Sequence, residues 1–203
     1  MIIAFGHLKG TGKDTIARYL AACVKTQRPG MTVIKTGFAD LLKDVCYMLY
    51  GWAGLKPGYE YEDTEGRAKK EEVLPALGKS PRRIWIEVGN KIRDVYEDTW
   101  IDFVLKGVSA DLLIISDLRY PNEAEKIKAQ GGLVFKVTRG SQQYTSDVAD
   151  DALLDYQGWT DGVLNDGTLE ELYHKAVGLA EKYVWPSFST ASPTASSASA
   201  STC

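Results

Sequence analysis

Six residues close to the start of the chain, Gly10-Thr-Gly-Lys-Asp-Thr15, have the types and the spacing needed to hold a chain of phosphates. Glycines let successive backbone N–H groups turn inward around the oxygens, and a helix opening just behind them adds positive potential. Lys13 then reaches the terminal phosphates as a point charge. The whole turn, Lys9, Gly10, Thr11, Gly12, Lys13, Asp14 and Thr15, is read as a phosphate cradle. It departs from a strict G-x-x-x-x-G-K pattern in two places. Position 7 is His7, with Gly6 one residue early, and His7 reads as a stand-in for the missing glycine rather than as a base. Asp14 stands where serine or threonine usually meets magnesium, and a carboxylate can hold that ion directly or through water. Thr15 can donate to the α-phosphate.

Other residues have the chemistry to complete such a site. The run Leu112-Leu-Ile-Ile-Ser-Asp117 is a buried strand ending in a carboxylate. Ligands of parallel sheets bind beyond the carboxyl ends of strands, so Asp117 is expected to face the phosphates and to help hold magnesium; an N-cap for the following helix is its other reading. Arg119 lies at the same rim, where a planar guanidinium can stabilise charge on a transferring phosphoryl group or pair with Glu123 or Glu125. At about 100° per helical residue, Arg82, Ile86, Gly89 and Arg93 fall in one stripe, a basic seat with a glycine between two arginines. Arg139 opens a polar stretch that could close over the phosphates and exclude water.

The elements that would position these groups follow from the apolar pattern. Met1–Phe5 is a short apolar run, as in a strand buried on both faces. A helix follows from Lys13, with Ile16, Leu20 and Val24 on its inner side. Thr32–Lys35 reads as a strand and Phe38–Tyr50 as a helix. Gly51 to about Lys79 lacks a sustained apolar period and reads as a surface insertion, with a helical piece around Arg67–Leu74. Ser80-Pro81 signals a helix start, and that helix reaches about Glu97. Further helices are predicted over Trp100–Val108, Pro121–Gln130 and Leu169–Tyr183, and strands over Leu112–Ile115, Leu133–Val137 and Gly162–Leu164. Strands alternating with helices imply an α/β fold of three layers, a parallel sheet flanked by helices. Residues 1–186 are expected to form the folded unit. The Ser/Thr/Ala-rich 187–203 is expected to be a disordered tail.

Composition narrows the function classes. A net charge of −3 gives no bulk field to attract nucleic acid. Cys23, Cys46 and Cys203 lack metal-ligand spacing and suggest reduced thiols. No apolar run approaches membrane-spanning length, and Met1–Phe5 stops too soon for a signal peptide, so a cytoplasmic location is expected.

Taken in order, several stretches resemble the deoxynucleoside monophosphate kinases of bacteriophages, within the P-loop nucleoside-monophosphate kinases. They are Gly12-Lys-Asp-Thr15, Phe38-Ala-Asp-Leu-Leu-Lys43, Arg82/Arg83 through Gly89-Asn-Lys-Ile-Arg93 to Trp100, Asp117-Leu-Arg-Tyr-Pro-Asn-Glu123, Ser146-Asp147 and Leu164-Asn-Asp-Gly-Thr168. The resemblance covers about residues 1–180. It implies a P-loop kinase fold with a substrate-binding insertion (about 51–79) and a short lid (about 139–151). It implies ATP and Mg²⁺, and a dNMP acceptor bordered by Thr36, Gly37 and Asp40 and gripped by Arg82, Arg93 and Trp100. Asn165 and Gly167 would lie near the adenine, and Arg119 and Arg139 would contact phosphates. A homodimer is compatible with it. Departures are the missing first loop glycine, Tyr144-Thr-Ser-Asp147 in place of His-x-Ser-Glu, and Gly89-Asn90 in place of Gly-Thr. Two other functions fit parts of the pattern: a P-loop kinase for another small acceptor such as dephospho-coenzyme A, and a non-catalytic ATP-binding module.

Overall fold

The computed structural model describes residues 1–140 and 152–188. Five strands form one sheet: β1 Ile2–Gly6, β2 Val33–Thr36, β3 Leu112–Leu118, β4 Leu133–Thr138 and β5 Asp161–Leu164. Their order is β2-β3-β1-β4-β5, and every pairing is parallel. The helices are α1 Lys13–Gln27, α2 Phe38–Tyr50, α3 Thr64–Lys69, α4 Pro81–Val95, α5 Thr99–Gly107, α6 Pro121–Ala129 and α7 Leu169–Leu179. A π-helical turn, Ala180–Val184, carries α7 onward to a short helical turn at Trp185–Phe188.

Alternation along the strands sorts the core into two layers. Ile3 and Phe5 of β1, with Leu112 and Ile114 of β3, pack beneath α1 and α7 against Ile16, Leu20, Val24, Leu172 and Ala176. Ala4, Leu113, Ile115 and Val134 face the opposite way, toward Phe38 of α2, Trp100, Ile101 and Val104 of α5, and Ala124 and Ile127 of α6. The result is the expected three-layer α/β fold with helices on both faces of a parallel sheet, which buries both sides of its strands. β1 is central, so the loop after it lies where ligands of such sheets bind.

The segment after α2 differs from its sequence reading. Two 3₁₀ turns, Gly51–Ala53 and Gly58–Tyr61, precede α3, which begins earlier than the helix placed around Arg67–Leu74. Leu55 and Tyr61 are buried with Cys46 of α2 and Ile84 of α4 in a third apolar cluster, with Leu74, Leu77 and Trp85 at its edge. These few apolar residues are brought together by α2 and α4, so no local period marks them. The lid residues 141–151, with Tyr144 to Asp147, and the tail beyond 188 lie outside the described residues. Among the described residues, no helix is long and apolar enough to cross a membrane.

Candidate active site

The glycine-rich turn joins β1 to α1. His7, Gly10 and Gly12 take φ values of +95°, +78° and +96°. Such angles are unfavourable for a residue with a Cβ, and His7 adopts one where the pattern would place glycine. Its imidazole is buried beside Trp159, the rings edge to face with centroids 6.4 Å apart. Gly12 precedes the first residue of α1, and no side chain caps that helix end. A Cβ at Gly12 would run into the amide nitrogen of Asn165. Asn165 is itself buried and donates to the Thr11 carbonyl at 2.8 Å, while its backbone N–H donates to Thr138 at the end of β4. It therefore holds the turn in shape, a task different from the contact near adenine that the resemblance implied. Thr11 is buried too, its hydroxyl donating to the Leu8 carbonyl at 3.0 Å.

Lys13 is only 7% exposed. Its ammonium donates to the carbonyl of His7 at 2.8 Å and to that of Leu8. A cation thus sits inside the turn at the uncapped start of α1. Beside it the Asp14 carboxylate accepts from the Ser116 hydroxyl at 2.7 Å and pairs with the Lys35 ammonium at 3.3 Å. Desolvation pushes the Asp14 carboxyl upward, but the Ser116 bond and the Lys35 charge outweigh it and hold the group below its ordinary value. Asp14 is thereby kept as a carboxylate.

Asp117 does something other than what was expected of it. Its two oxygens accept from the backbone N–H groups of Phe38 at 2.7 Å and Ala39 at 2.9 Å, so it caps α2 from a distance of 79 residues. Desolvation raises its carboxyl above the ordinary range even though those N–H groups pull the other way. The group that reaches the Asp14 side from β3 is Ser116. Strand parity explains this: Ser116 shares the face of Leu112 and Ile114, whereas Asp117 turns with Leu113 and Ile115 toward α2. An irregularity in the β1–β3 register follows, since Ala4 pairs with Ile115 but Gly6 with Leu118. Gly37 is needed where Asp117 arrives, because a Cβ there would stand 2.7 Å from Oδ2. Among the described residues, no three acidic, histidine or cysteine side chains gather closely enough to share a metal ion.

The residues expected to border and grip an acceptor lie on the β2–α2 turn, on α4 and on α5. The Gly37 N–H donates to Asp40 at 2.7 Å, and Thr36 Oγ1 lies 3.3 Å from the same carboxylate, so Thr36, Gly37 and Asp40 form one turn at the start of α2. Lys43 pairs with Asp40 at 3.4 Å. The arginines of α4 are engaged rather than merely solvated. Arg82 bonds Glu71 at 2.6 Å, and Arg93 bonds Glu123 of α6 at 2.6 Å. Glu123, which the sequence reading offered as a partner for Arg119, thus pairs with Arg93. Gly89 is buried against Leu42 of α2, where a Cβ would stand 2.9 Å from Cδ2, so it serves helix packing and not the phosphate seat expected of it. Trp100 is 4% exposed and donates to the Gly89 carbonyl at 3.4 Å, which makes it a support beneath α4. Arg119 follows β3 at the rim, and its backbone N–H donates to Glu123 at 3.0 Å. Arg139 is exposed just beyond β4. Gly167 precedes Thr168, whose hydroxyl caps α7 and whose N–H donates to Glu171 at 2.6 Å.

Ser116, Lys35 and Glu123 were missed as members of this region. Alternation along β3 was a sufficient signal for Ser116, and Lys35 sits at the carboxyl end of β2. Glu123 meets Arg93 across 30 residues of chain, a contact that no local pattern announces.

No family model matches the chain. A protein of Acanthamoeba polyphaga mimivirus named "Putative deoxynucleotide monophosphate kinase" is 27% identical over 193 residues, covering 85% of this chain and 92% of that protein. Among solved structures, a shikimate kinase from Aquifex aeolicus aligns over 89% of this chain and 96% of that one, with 13% identity and a TM-score of 0.42. Both are kinases by name. The sequence relative comes from a mimivirus, not from a bacteriophage.

Proposed function

We propose that this chain is a P-loop phosphotransferase that moves the γ-phosphate of ATP to a deoxynucleoside monophosphate, giving ADP and a dNDP for DNA precursor synthesis. The observation that carries the transferase reading is the buried Lys13 ammonium, held inside a positive-φ turn at the uncapped N-terminus of α1. The name of the mimivirus relative supports the acceptor class.

The residues present suit the ligands. Backbone N–H groups from Gly10 to Thr15 would surround the phosphates, and phosphate oxygens would replace loop carbonyls as partners of Lys13. Asp14, kept ionised beside Ser116, suits Mg²⁺, which takes few protein ligands and keeps its waters and the phosphates. That ion would supply charge neutralisation. The acceptor would enter between the Thr36–Asp40 turn and α4, where Arg93 and, after release from Glu71, Arg82 meet its phosphate. Arg119 and Arg139 would bear on the transferring group, and Gly167 would lie by the adenine.

Little covalent chemistry is asked of the protein. An acceptor phosphate oxygen attacks the γ-phosphorus in line, that oxygen–phosphorus bond forms as the bond to ADP breaks, and alignment with charge neutralisation lowers the barrier. No general base is needed, because a phosphate monoester is largely ionised at neutral pH. The test is coupled ADP release from ATP·Mg²⁺ against dNMPs, NMPs and dephospho-coenzyme A. Turnover that depends on an added dNMP is expected. Turnover with dephospho-coenzyme A alone, or ADP release indifferent to every acceptor, would contradict the proposal.

A further inference from the structure

The Asp-Leu-Arg-Tyr-Pro-Asn-Glu stretch ends in a buried carboxylate. Glu123 is 1% exposed. One of its oxygens takes the Arg93 guanidinium at 2.6 Å, and the other accepts the backbone N–H groups of Arg119 at 3.0 Å and Tyr120 at 3.1 Å. The Tyr120 ring lies under the same guanidinium, 4.1 Å from its carbon to the ring centroid. A single buried carboxylate therefore joins α4 to the rim that follows β3.

Burying such a group is costly unless it is paired, and desolvation does push its carboxyl upward while Arg93 and the N–H groups oppose the shift. A purely structural link could be made more cheaply by apolar side chains, as the neighbouring Ile127 and Ala124 show. What the ion pair adds is the attitude of the arginine. A guanidinium has five N–H groups. Arg93 uses one on Glu123 and one, at 3.4 Å, on the Glu97 carbonyl, and the other three have no acceptor among the described residues. Its side chain is 17% exposed, so those donors are held nearly still at the edge of the site. A planar fork fixed in this way fits a phosphate with little ordering cost.

We propose that Glu123 is a positioning residue for the acceptor: it locks Arg93 against Tyr120 so that the guanidinium presents its donors to the acceptor phosphate. This rests on the monophosphate-kinase reading above. Asp117, from the same stretch, fixes the start of α2.

The test is steady-state kinetics on the full chain with ATP and the best dNMP, for the wild type, Glu123→Gln, Arg93→Ala and the double variant, with a thermal melt of each. Glu123→Gln should raise the acceptor KM about tenfold or more while the ATP KM stays within about twofold. In the Arg93→Ala background the same change should add less than about twofold, since the arginine it positions is gone. If Glu123→Gln melts below the assay temperature, Glu123→Asp replaces it, keeping the charge but withdrawing it from Arg93, with the same acceptor-specific loss expected. An acceptor KM unchanged in the glutamate variants, an ATP KM that rises in step, or losses that multiply in the double variant would overturn the inference and leave the kinase reading standing. A wild type that phosphorylates no dNMP would overturn both.

Discussion

Lys13 keeps its ammonium on the carbonyls of His7 and Leu8, which places a charge where phosphate oxygens would compete for it. Removing it deletes the buried cation of the turn while leaving the backbone of the turn to Asn165 and Thr11. Lys13→Ala is expected to lower kcat by about 10²–10³-fold or more, with an unchanged far-ultraviolet circular dichroism spectrum; near-normal turnover would remove Lys13 from the chemistry. His7 offers a different test at the same scale. Its φ of +95° is a strained angle for any residue with a Cβ. Glycine is ordinarily less stabilising than alanine, yet here His7→Gly should be more stable than His7→Ala by about 1 kcal/mol, read from urea melts. Alanine more stable than glycine would show that the angle relaxes freely.

At the scale of elements, the two carboxylates once grouped as metal ligands have separate tasks. Asp14 opens α1 and meets Ser116, while Asp117 leaves β3 to cap α2. Asp14→Asn should raise the Mg²⁺ concentration needed for half-maximal activity. Asp117→Asn should leave that concentration alone and cost about 1–2 kcal/mol in stability, the range for losing a helix cap. A Mg²⁺ requirement altered by Asp117→Asn would return it to the metal. This division was legible in the alternation of Leu112 to Asp117, because a strand sends neighbouring side chains to opposite faces. The elements themselves were plainer still. The bounds of α2, Phe38–Tyr50, follow from its apolar period, and α4 begins at the Ser80-Pro81 signal. Leu55 and Tyr61 gave no such sign, since their partners Cys46 and Ile84 come from other helices. The Arg93–Glu123 pair was hidden for the same reason.

Across the whole molecule, the far edge of the sheet is joined to the last helical turns by Asp161, which accepts from Lys182 and Tyr183. Those two bonds, with one from the Gly162 N–H, lower its carboxyl from 3.8 to about 2. A depressed acid stabilises the fold above its unfolded value, and the contribution fades as pH falls through the folded one. Asp161→Asn should therefore lower the urea midpoint at pH 7, with the gap from wild type closing between about pH 4 and pH 2; a constant gap would mean that the charge is not what matters. On the proposed function these parts would serve one event, passage of a phosphoryl group from the β1–α1 turn to an acceptor beside α2 and α4. Its most direct measurement is transfer of label from [γ-³²P]ATP in the presence of Mg²⁺ and each dNMP, with the products separated by chromatography. The account predicts label in a dNDP, lost in Lys13→Ala. Label appearing only as inorganic phosphate, or in no nucleotide acceptor at all, would contradict it.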